Sequence, residues 1–219
     1  MALPASTLRS NVNTWSVPTW AIPAVACQML DALPPEAFDP NFQGQGNQTT
    51  YFDTAGERLR RARVPKKEYV TLRLRSYGAS TAAGGLGPKP AFALSAKTQD
   101  AKARIDVSPA VAAALLAGPD NDLLAQLLPP ALFSRLLTLT AGEPLGPVVT
   151  VLGTRYAVED DNLRLTLDTS ITTDTGKALP FHVLEFKAAR GQPAAPGRLP
   201  TPGLRPLKLS KFLWSTDWR

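Results

Sequence analysis

Arginine recurs at alternate positions in the segment EYVTLRLRSYG, which spans residues 68–78. Arg73 and Arg75 alternate with Leu72 and Leu74, and a two-residue period is typical of a β-strand with one apolar and one polar face. The planar guanidinium group donates paired hydrogen bonds to phosphate oxygens. Two arginines on the same face of one strand therefore indicate chemistry directed at a phosphate-bearing anion.

The same alternation places further cations on the polar faces of later segments. A solvated sheet face is the ordinary explanation, because lysine and arginine are common there. A solvated face usually mixes its charges, since like charges directly opposite each other destabilise a sheet. The excess of cations therefore favours a face that binds a polyanion. The basic positions are Arg73, Arg75, Lys97, Lys102, Arg104, Arg155, Arg164 and Lys187, and the acidic ones are Asp106, Asp168 and Glu185.

Closure of the sheet into a barrel would place this polar face inside, as a water-filled tunnel. A few carboxylates among many cations could hold a divalent metal, which would bridge the phosphates and offset the charge of the anion. The residues alone thus leave two explanations, a solvated sheet face and a cationic face or tunnel that binds a polyanion, and arginine and lysine outnumber the acidic groups in either case.

The elements that must position these residues are mainly strands. Helical periodicity is confined to residues 19–33, to a basic segment at 55–67, and to residues 108–139, where Pro129 and Pro130 interrupt it. The pattern predicts an α+β fold with a mainly antiparallel sheet. Strands are predicted near residues 13–18, 49–54, 68–78, 91–98, 102–107, 147–160, 162–172 and 181–188.

Composition is consistent with one globular domain over residues 1–219. The chain is 44% hydrophobic, with a formal net charge of +6 and a pI near 9.7, which excludes general disorder and favours an anionic partner. The lone cysteine, Cys27, excludes an internal disulfide framework, and its apolar surroundings predict a buried side chain. We find no signal peptide and no membrane-length apolar run, so we expect a cytoplasmic protein without a membrane span.

The order of the short motifs resembles the VTC-type polyphosphate polymerase domain, a member of the triphosphate tunnel superfamily that also includes the CYTH-type triphosphatases. The motifs are YFDT, LRLR, a strand ending in Lys97, KxR, LRLTLD, LEFK and SKF, and the resemblance covers about residues 12–214. It implies an antiparallel β-barrel, the triphosphate tunnel, with flanking helices. It also implies transfer of the terminal phosphate of ATP onto inorganic polyphosphate, or hydrolysis of a triphosphate, with Mn²⁺ or Mg²⁺ as cofactor.

The resemblance also implies roles for individual residues. It assigns catalytic roles to Lys97, Lys102 and Arg164, and metal binding to Glu185 and Asp168. The residues that it assigns to phosphate binding are Arg73, Arg75, Lys97, Lys102, Arg104, Arg155, Arg164, Lys187 and Lys211.

Three positions depart from the family pattern. Alignment on Pro18 places Val12 and Thr14 where members carry a charged pattern that includes a lysine, and Ser95 replaces a glutamate that is common in the family. Because positioned charge is most of what a protein contributes to phosphoryl transfer, these changes weaken catalysis more than binding. A domain that binds or senses polyphosphate or nucleotide is therefore the alternative to an enzyme. A nucleic-acid-binding β protein is a third hypothesis, supported by the pI alone.

Overall fold

The computed structural model describes residues 11–31, 44–64, 68–77, 91–159, 163–188 and 204–216. These contain nine strands, each close to a segment of alternating sequence except the last. The strands are β1 Asn11–Val17, β2 Gln45–Thr54, β3 Thr71–Tyr77, β4 Phe92–Lys97, β5 Lys102–Val107, β6 Leu145–Glu159, β7 Leu163–Thr173, β8 His182–Ala188 and β9 Arg205–Pro206.

Six α-helices lie between and after the strands in the described part of the chain. A 3-10 turn, Thr19–Ala21, precedes the first helix. The side chains of Ser108 and Asp120 cap the third and fourth helices by accepting hydrogen bonds from main-chain N–H groups, as serine and aspartate commonly do. The helices are α1 Ile22–Asp31, α2 Arg58–Arg63, α3 Pro109–Ala117, α4 Asn121–Leu127, α5 Pro130–Thr140 and α6 Lys211–Ser215.

All strand pairs are antiparallel and belong to one sheet with the order β5-β4-β3-β2-β6-β7-β8-β1-β9. The predicted α+β class and antiparallel sheet are thus confirmed. The sheet is open, because within the described ranges no hydrogen-bonded pair joins β5 to β9. β9 contributes two residues, and β5 carries lysine and arginine, which are typical of strands that remain edges.

The open sheet is strongly curled. Strands six places apart in a flat sheet, such as β5 and β8, would lie about 29 Å from each other. The positive charge of Lys187 on β8 nevertheless lowers the pKa of Lys102 on β5, after burial and Arg73. Since exposed charges farther apart than about 10 Å are largely screened, the two strands must face each other across a concave surface.

Apolar side chains on the outer face attach the helices to the sheet. Leu72, Leu74 and Leu94 pack in one core with buried leucines of α2, α3, α4 and α5. Leu165 and Leu184 pack in a second core with Val25 of α1. Burial of the outer face leaves the concave inner face to the polar residues that alternate with these side chains.

A third apolar cluster lies on the inner face and closes one end of the concave surface. Tyr51 stacks on Phe212 of α6, with their ring centroids 5.1 Å apart. Val149, Val151 and Ile171 complete the wall of this cluster. Ser170 adopts a left-handed conformation with a φ of 50°, and this irregularity in β7 places both Asp168 and Ile171 on the inner face.

Two further sequence expectations have different outcomes. The side chain of Cys27 is exposed rather than buried, because α1 turns Val25, and not Cys27, toward the sheet. None of the described helices is long and apolar enough to cross a membrane.

Asp53, in the YFDT motif, fixes the turn between β2 and α2. Its carboxylate accepts hydrogen bonds from the main-chain N–H groups of Thr54 and Leu59 at 2.8 Å and of Arg60 at 2.9 Å. Glu57, at the start of α2, makes no capping hydrogen bond with its side chain. Asp53 therefore accepts the hydrogen bonds of N–H groups at the N-terminus of α2 that have no partner within the helix, although it precedes the helix by five residues.

We expect Asp53→Ala to lower the free energy of unfolding by about 2–3 kcal/mol, because it leaves buried N–H donors without an acceptor. Urea denaturation followed by circular dichroism measures this loss. Asp106→Ala is the control, since the exposed Asp106 lies 3.6 Å from Arg104 and its removal should change stability by less than about 0.5 kcal/mol. Equal effects of the two substitutions would contradict the role of Asp53.

Candidate functional site

The inner faces of β3, β4 and β5 form a surface that we call the first wall. The strand register sets Arg73 beside Ser95 and Ser95 beside Arg104, and it sets Lys97 directly beside Lys102. The carboxylate on this wall is that of Asp106, 3.6 Å from Arg104 with both side chains exposed. The cations of the first wall are Arg73, Arg75, Lys97, Lys102 and Arg104.

Burial and neighbouring cations lower the pKa values of two residues of the first wall, Arg75 and Lys102. Burial, with the nearby charges of Arg73 and Arg155, lowers the pKa of Arg75 to about 10. Burial, with the charges of Arg73, Lys187 and Arg104, lowers the pKa of Lys102 to about 8. A like charge close by disfavours the charged form, so the wall holds positive charge that its own carboxylate does not neutralise.

Tyr77 ends the row of inner-face residues on β3. Its ring centroid lies 5.9 Å from the guanidinium carbon of Arg75 and 5.5 Å from that of Arg104, within the range of a cation–π contact. Burial raises the pKa of Tyr77, but Arg75 and Arg104 outweigh it and the pKa is lowered. The charges of Arg75 and Arg104 therefore lower the pKa of Tyr77, as they lower that of Lys102.

The opposite surface, which we call the second wall, is formed by β6, β7 and β8 together with Lys211 of α6. Its central group is the buried carboxylate of Asp168. The guanidinium of Arg155 donates from Nε to Oδ1 at 2.5 Å and from Nη2 to Oδ2 at 2.7 Å. The ammonium of Lys211 donates to Oδ2 at 2.5 Å. Asp168 therefore joins α6 to the wall of the sheet.

These contacts set the protonation of the group. Burial raises the pKa of Asp168, but the opposing charges and hydrogen bonds of Arg155 and Lys211 are stronger and hold the pKa well below its usual range. Burial lowers the pKa of Arg155, whereas Asp168 more than offsets this and raises it. Asp168 and Arg155 are consequently both ionised at neutral pH. Burial lowers the pKa of Lys211, and its contact with Asp168 opposes that lowering.

Glu185 lies on β8 beside the same cluster. Its carboxylate accepts a hydrogen bond from Nζ of Lys187 at 2.6 Å, and this contact outweighs burial and lowers the pKa of Glu185. The register of β1 with β8 sets Thr14 beside Glu185 and Val12 beside Lys187. Strand β1 therefore adds no charge where it borders the second wall.

The predicted site residues thus occupy one concave surface. β-strand alternation places the cations of β3 to β8 on one face, and Lys211 of α6 contacts that face through Asp168. Arg164 lies on β7 in register with Lys187, and its charge, after other contributions, lowers the pKa of Lys187. The roles of all these residues in catalysis, phosphate binding or metal binding remain predictions.

Sequence reasoning missed residues that contact the cations without carrying charge. The hydroxyl of Thr49 accepts a hydrogen bond from Nε of Arg75 at 3.2 Å. Tyr51 and Phe212 close one end of the surface. The alternation of Thr49, Tyr51 and Asp53 in TTYFDT was the available signal, since it places all three on the polar side of β2.

The basic segment around α2 contacts other parts of the protein. Arg60 pairs with Glu57 and donates to the carbonyl of Thr216 at 2.8 Å. The guanidinium carbon of Arg63 lies 3.8 Å from the ring centroid of Tyr69. The structure therefore gives Arg60 and Arg63 structural contacts.

The donor set does not fit a metal held by the protein. Both oxygens of Asp168 accept hydrogen bonds from cations, and Glu185 is bound by Lys187. In the part of the chain that the structure describes, no group of three or more His, Cys, Asp or Glu side chains could hold a metal ion. Mg²⁺ and Mn²⁺ prefer carboxylate, carbonyl and water oxygens, and few such side-chain oxygens are free here.

Comparisons with known proteins identify the fold. No protein-family model matches the sequence, and no curated protein matches it. A candidate adenylate cyclase from Bacillus halodurans superposes with a TM-score of 0.52 and 14% identity, over 81% of this chain and 79% of that chain. A candidate adenylyl cyclase from Hippeastrum, in which triphosphatase activity is dominant, superposes with a TM-score of 0.49 and 16% identity, over 81% and 78%.

At these identities the likeness concerns the fold. The chain therefore shares its antiparallel-sheet fold with the Bacillus halodurans protein.

Proposed function

We propose that the chain is a VTC-type triphosphate tunnel protein that binds the phosphate chain of ATP or of inorganic polyphosphate on its concave face. The observation that carries the proposal is the convergence of five first-wall cations on one surface, with the exposed Asp106 as their nearby carboxylate. We place this activity in the cytoplasm, where ATP is available.

Bound phosphate oxygens would reduce the electrostatic repulsion among the five first-wall cations. Arg73 and Arg75 lie two residues apart on one strand, about 6–7 Å along it, which is farther than neighbouring phosphates that share a bridging oxygen, so the two side chains can reach different, non-adjacent phosphates of one chain. Their guanidinium groups can each donate two hydrogen bonds to an oxygen pair. Lys97 and Lys102 would add compact charge from the neighbouring strands.

Replacement of both Arg73 and Arg75 by Ala should weaken tripolyphosphate binding at least about 100-fold, because two charge-assisted contacts are lost. Isothermal titration calorimetry measures the affinity, and circular dichroism checks that the fold survives. The matched control replaces Arg61 and Arg135, two arginines away from the concave face, and should leave affinity nearly unchanged. Unaltered binding by the Arg73/Arg75 variant would overturn the proposal.

Affinity should also depend on pH through Lys102. Its pKa near 8 means that the ammonium is charged below this pH and neutral above it, so affinity should fall about tenfold as pH rises through the pKa. Burial keeps this pKa low in the free protein, together with the cations that face Lys102, which are Arg73, Lys187, Arg104 and Arg75.

Lys102→Arg is the matched control, because arginine keeps its charge over this pH range. The same titration from pH 7 to pH 9 then isolates the part that belongs to Lys102, since changes in the ligand's own charge affect both proteins. Identical pH profiles for the two proteins would show that Lys102 does not contact the ligand.

Transfer or hydrolysis of the terminal phosphate is the second candidate function, and Lys102 is the observation that favours it. A cation with a pKa near the working pH can donate a proton to the departing phosphate oxygen and regain it from water. Lys97 and Arg164 would stabilise the charge on the transferred group. The polymerase activity and the Mn²⁺ or Mg²⁺ dependence of the VTC type belong to this candidate.

We expect phosphorus NMR of the protein with ATP and Mg²⁺, repeated with Mn²⁺ that is chelated before acquisition, to show loss of the terminal phosphate. Growing polyphosphate signals identify a polymerase, and free phosphate identifies a triphosphatase. Lys102→Gln should slow either reaction at least about 100-fold, a typical loss for a general acid. Unchanged ATP, with binding established by calorimetry, would eliminate this candidate and leave the binding function.

A further inference from the structure

We propose that the concave face takes its phosphate chain as the metal-free polyanion, and that Asp168 is an internal counterion of Arg155 and Lys211 rather than a metal ligand. This inference rests on the proposed binding function and specifies the form of the ligand. It opposes the metal role that the family resemblance implies for Asp168, and the contacts of the second wall are its basis.

The hydrogen bonds of Asp168 leave little room for a metal ion. A carboxylate has about four lone-pair positions, and Arg155 and Lys211 occupy three of them at 2.5–2.7 Å. A divalent ion that took the remaining position would lie beside both of these cations. Because the side chain of Asp168 is only 7% exposed, the resulting repulsion between like charges would be poorly screened by water.

Within the described ranges, no second carboxylate without a cationic partner lies beside Asp168. Glu185 accepts a hydrogen bond from Lys187 at 2.6 Å. Its neighbours on the two flanking strands are Thr14 and Thr166, both uncharged. On the opposite wall Ser95 lies between Arg73 and Arg104, so that strand also brings no acidic ligand to the site.

The charge balance of the face points the same way. Its nine cations, Lys211 included, exceed its three carboxylates by six formal charges. Bound Mg²⁺ would make the phosphate chain two charges less negative and so reduce its attraction to this face. The protein's own cations therefore perform the neutralisation that a metal performs elsewhere.

The counterion role of Asp168 has a consequence of definite sign. In the free protein this carboxylate occupies Arg155 and Lys211, two of the cations that a phosphate chain would contact. Removal of its charge with little change in shape should release both cations to the ligand. Asp168→Asn should consequently bind metal-free tripolyphosphate more tightly than the wild-type protein does, by about three- to tenfold.

The experiment is calorimetric titration of the full chain with tripolyphosphate, once in EDTA and once in excess MgCl₂. We expect the wild-type protein to bind in EDTA, with an affinity equal to or up to about tenfold higher than in MgCl₂. Binding in MgCl₂ but not in EDTA would overturn the inference and leave the proposed function intact. Absence of binding under both conditions would overturn the proposed function itself.

The variant separates the two roles of Asp168. A metal ligand predicts that Asp168→Asn loses affinity in MgCl₂ and is unaffected in EDTA, whereas a counterion predicts a gain in EDTA. Glu143→Gln is the matched control, because Glu143 pairs with Arg58 at 2.5 Å outside the concave face and should alter neither titration.

Lys211→Gln provides a second variant if Asp168→Asn fails to fold. It removes a single cation that contacts the carboxylate in the free protein and would contact the ligand in the complex. Metal-free binding should therefore weaken severalfold. A Lys211→Gln protein that binds as tightly as the wild type in EDTA would contradict the inference.

Discussion

Repulsion among like charges is the constraint on which the rest of this structure depends. The curl of the sheet brings Lys187 of β8 close enough to lower the pKa of Lys102 on β5, and the packing of the fold must offset this repulsion. The leucine-rich cores on the outer face offset part of it by attaching α1 to α5 to the back of the sheet. Asp168 offsets another part, because it holds Arg155 and Lys211 together.

The two walls differ in how far their own carboxylates offset their positive charges. In the second wall, carboxylates engage Arg155, Lys187 and Lys211 by direct hydrogen bonds, so Asp168 and Glu185 offset part of its positive charge before any ligand arrives. The first wall has Asp106 alone, which is exposed and 3.6 Å from Arg104. An incoming anion therefore gains most from the first wall, while the second wall supplies rigidity and a boundary with the apolar end formed by Tyr51 and Phe212.

Alternation in the sequence was sufficient to predict the strands and the inward orientation of Arg73, Arg75 and Arg104, since the two-residue period is a property of the backbone. It was insufficient for contacts that depend on distant segments. The pairing of Asp168 with Lys211 joins residues 43 positions apart, and it depends on the irregularity at Ser170 and on the docking of α6. Exposure of Cys27 was mispredicted because apolar neighbours in sequence do not reveal which side of a short helix meets the sheet.

Strong attraction for phosphate does not by itself accelerate its transfer. A face that stabilises the bound chain and the transition state equally increases affinity without increasing the rate of the chemical step. Acceleration needs a group whose interaction changes as the phosphate leaves. Lys102 can change its charge, because burial and its cationic neighbours lower its pKa to about 8. With neutral residues at Val12, Thr14 and Ser95, any chemical step in this protein would depend on that single lysine more than on the surrounding charge.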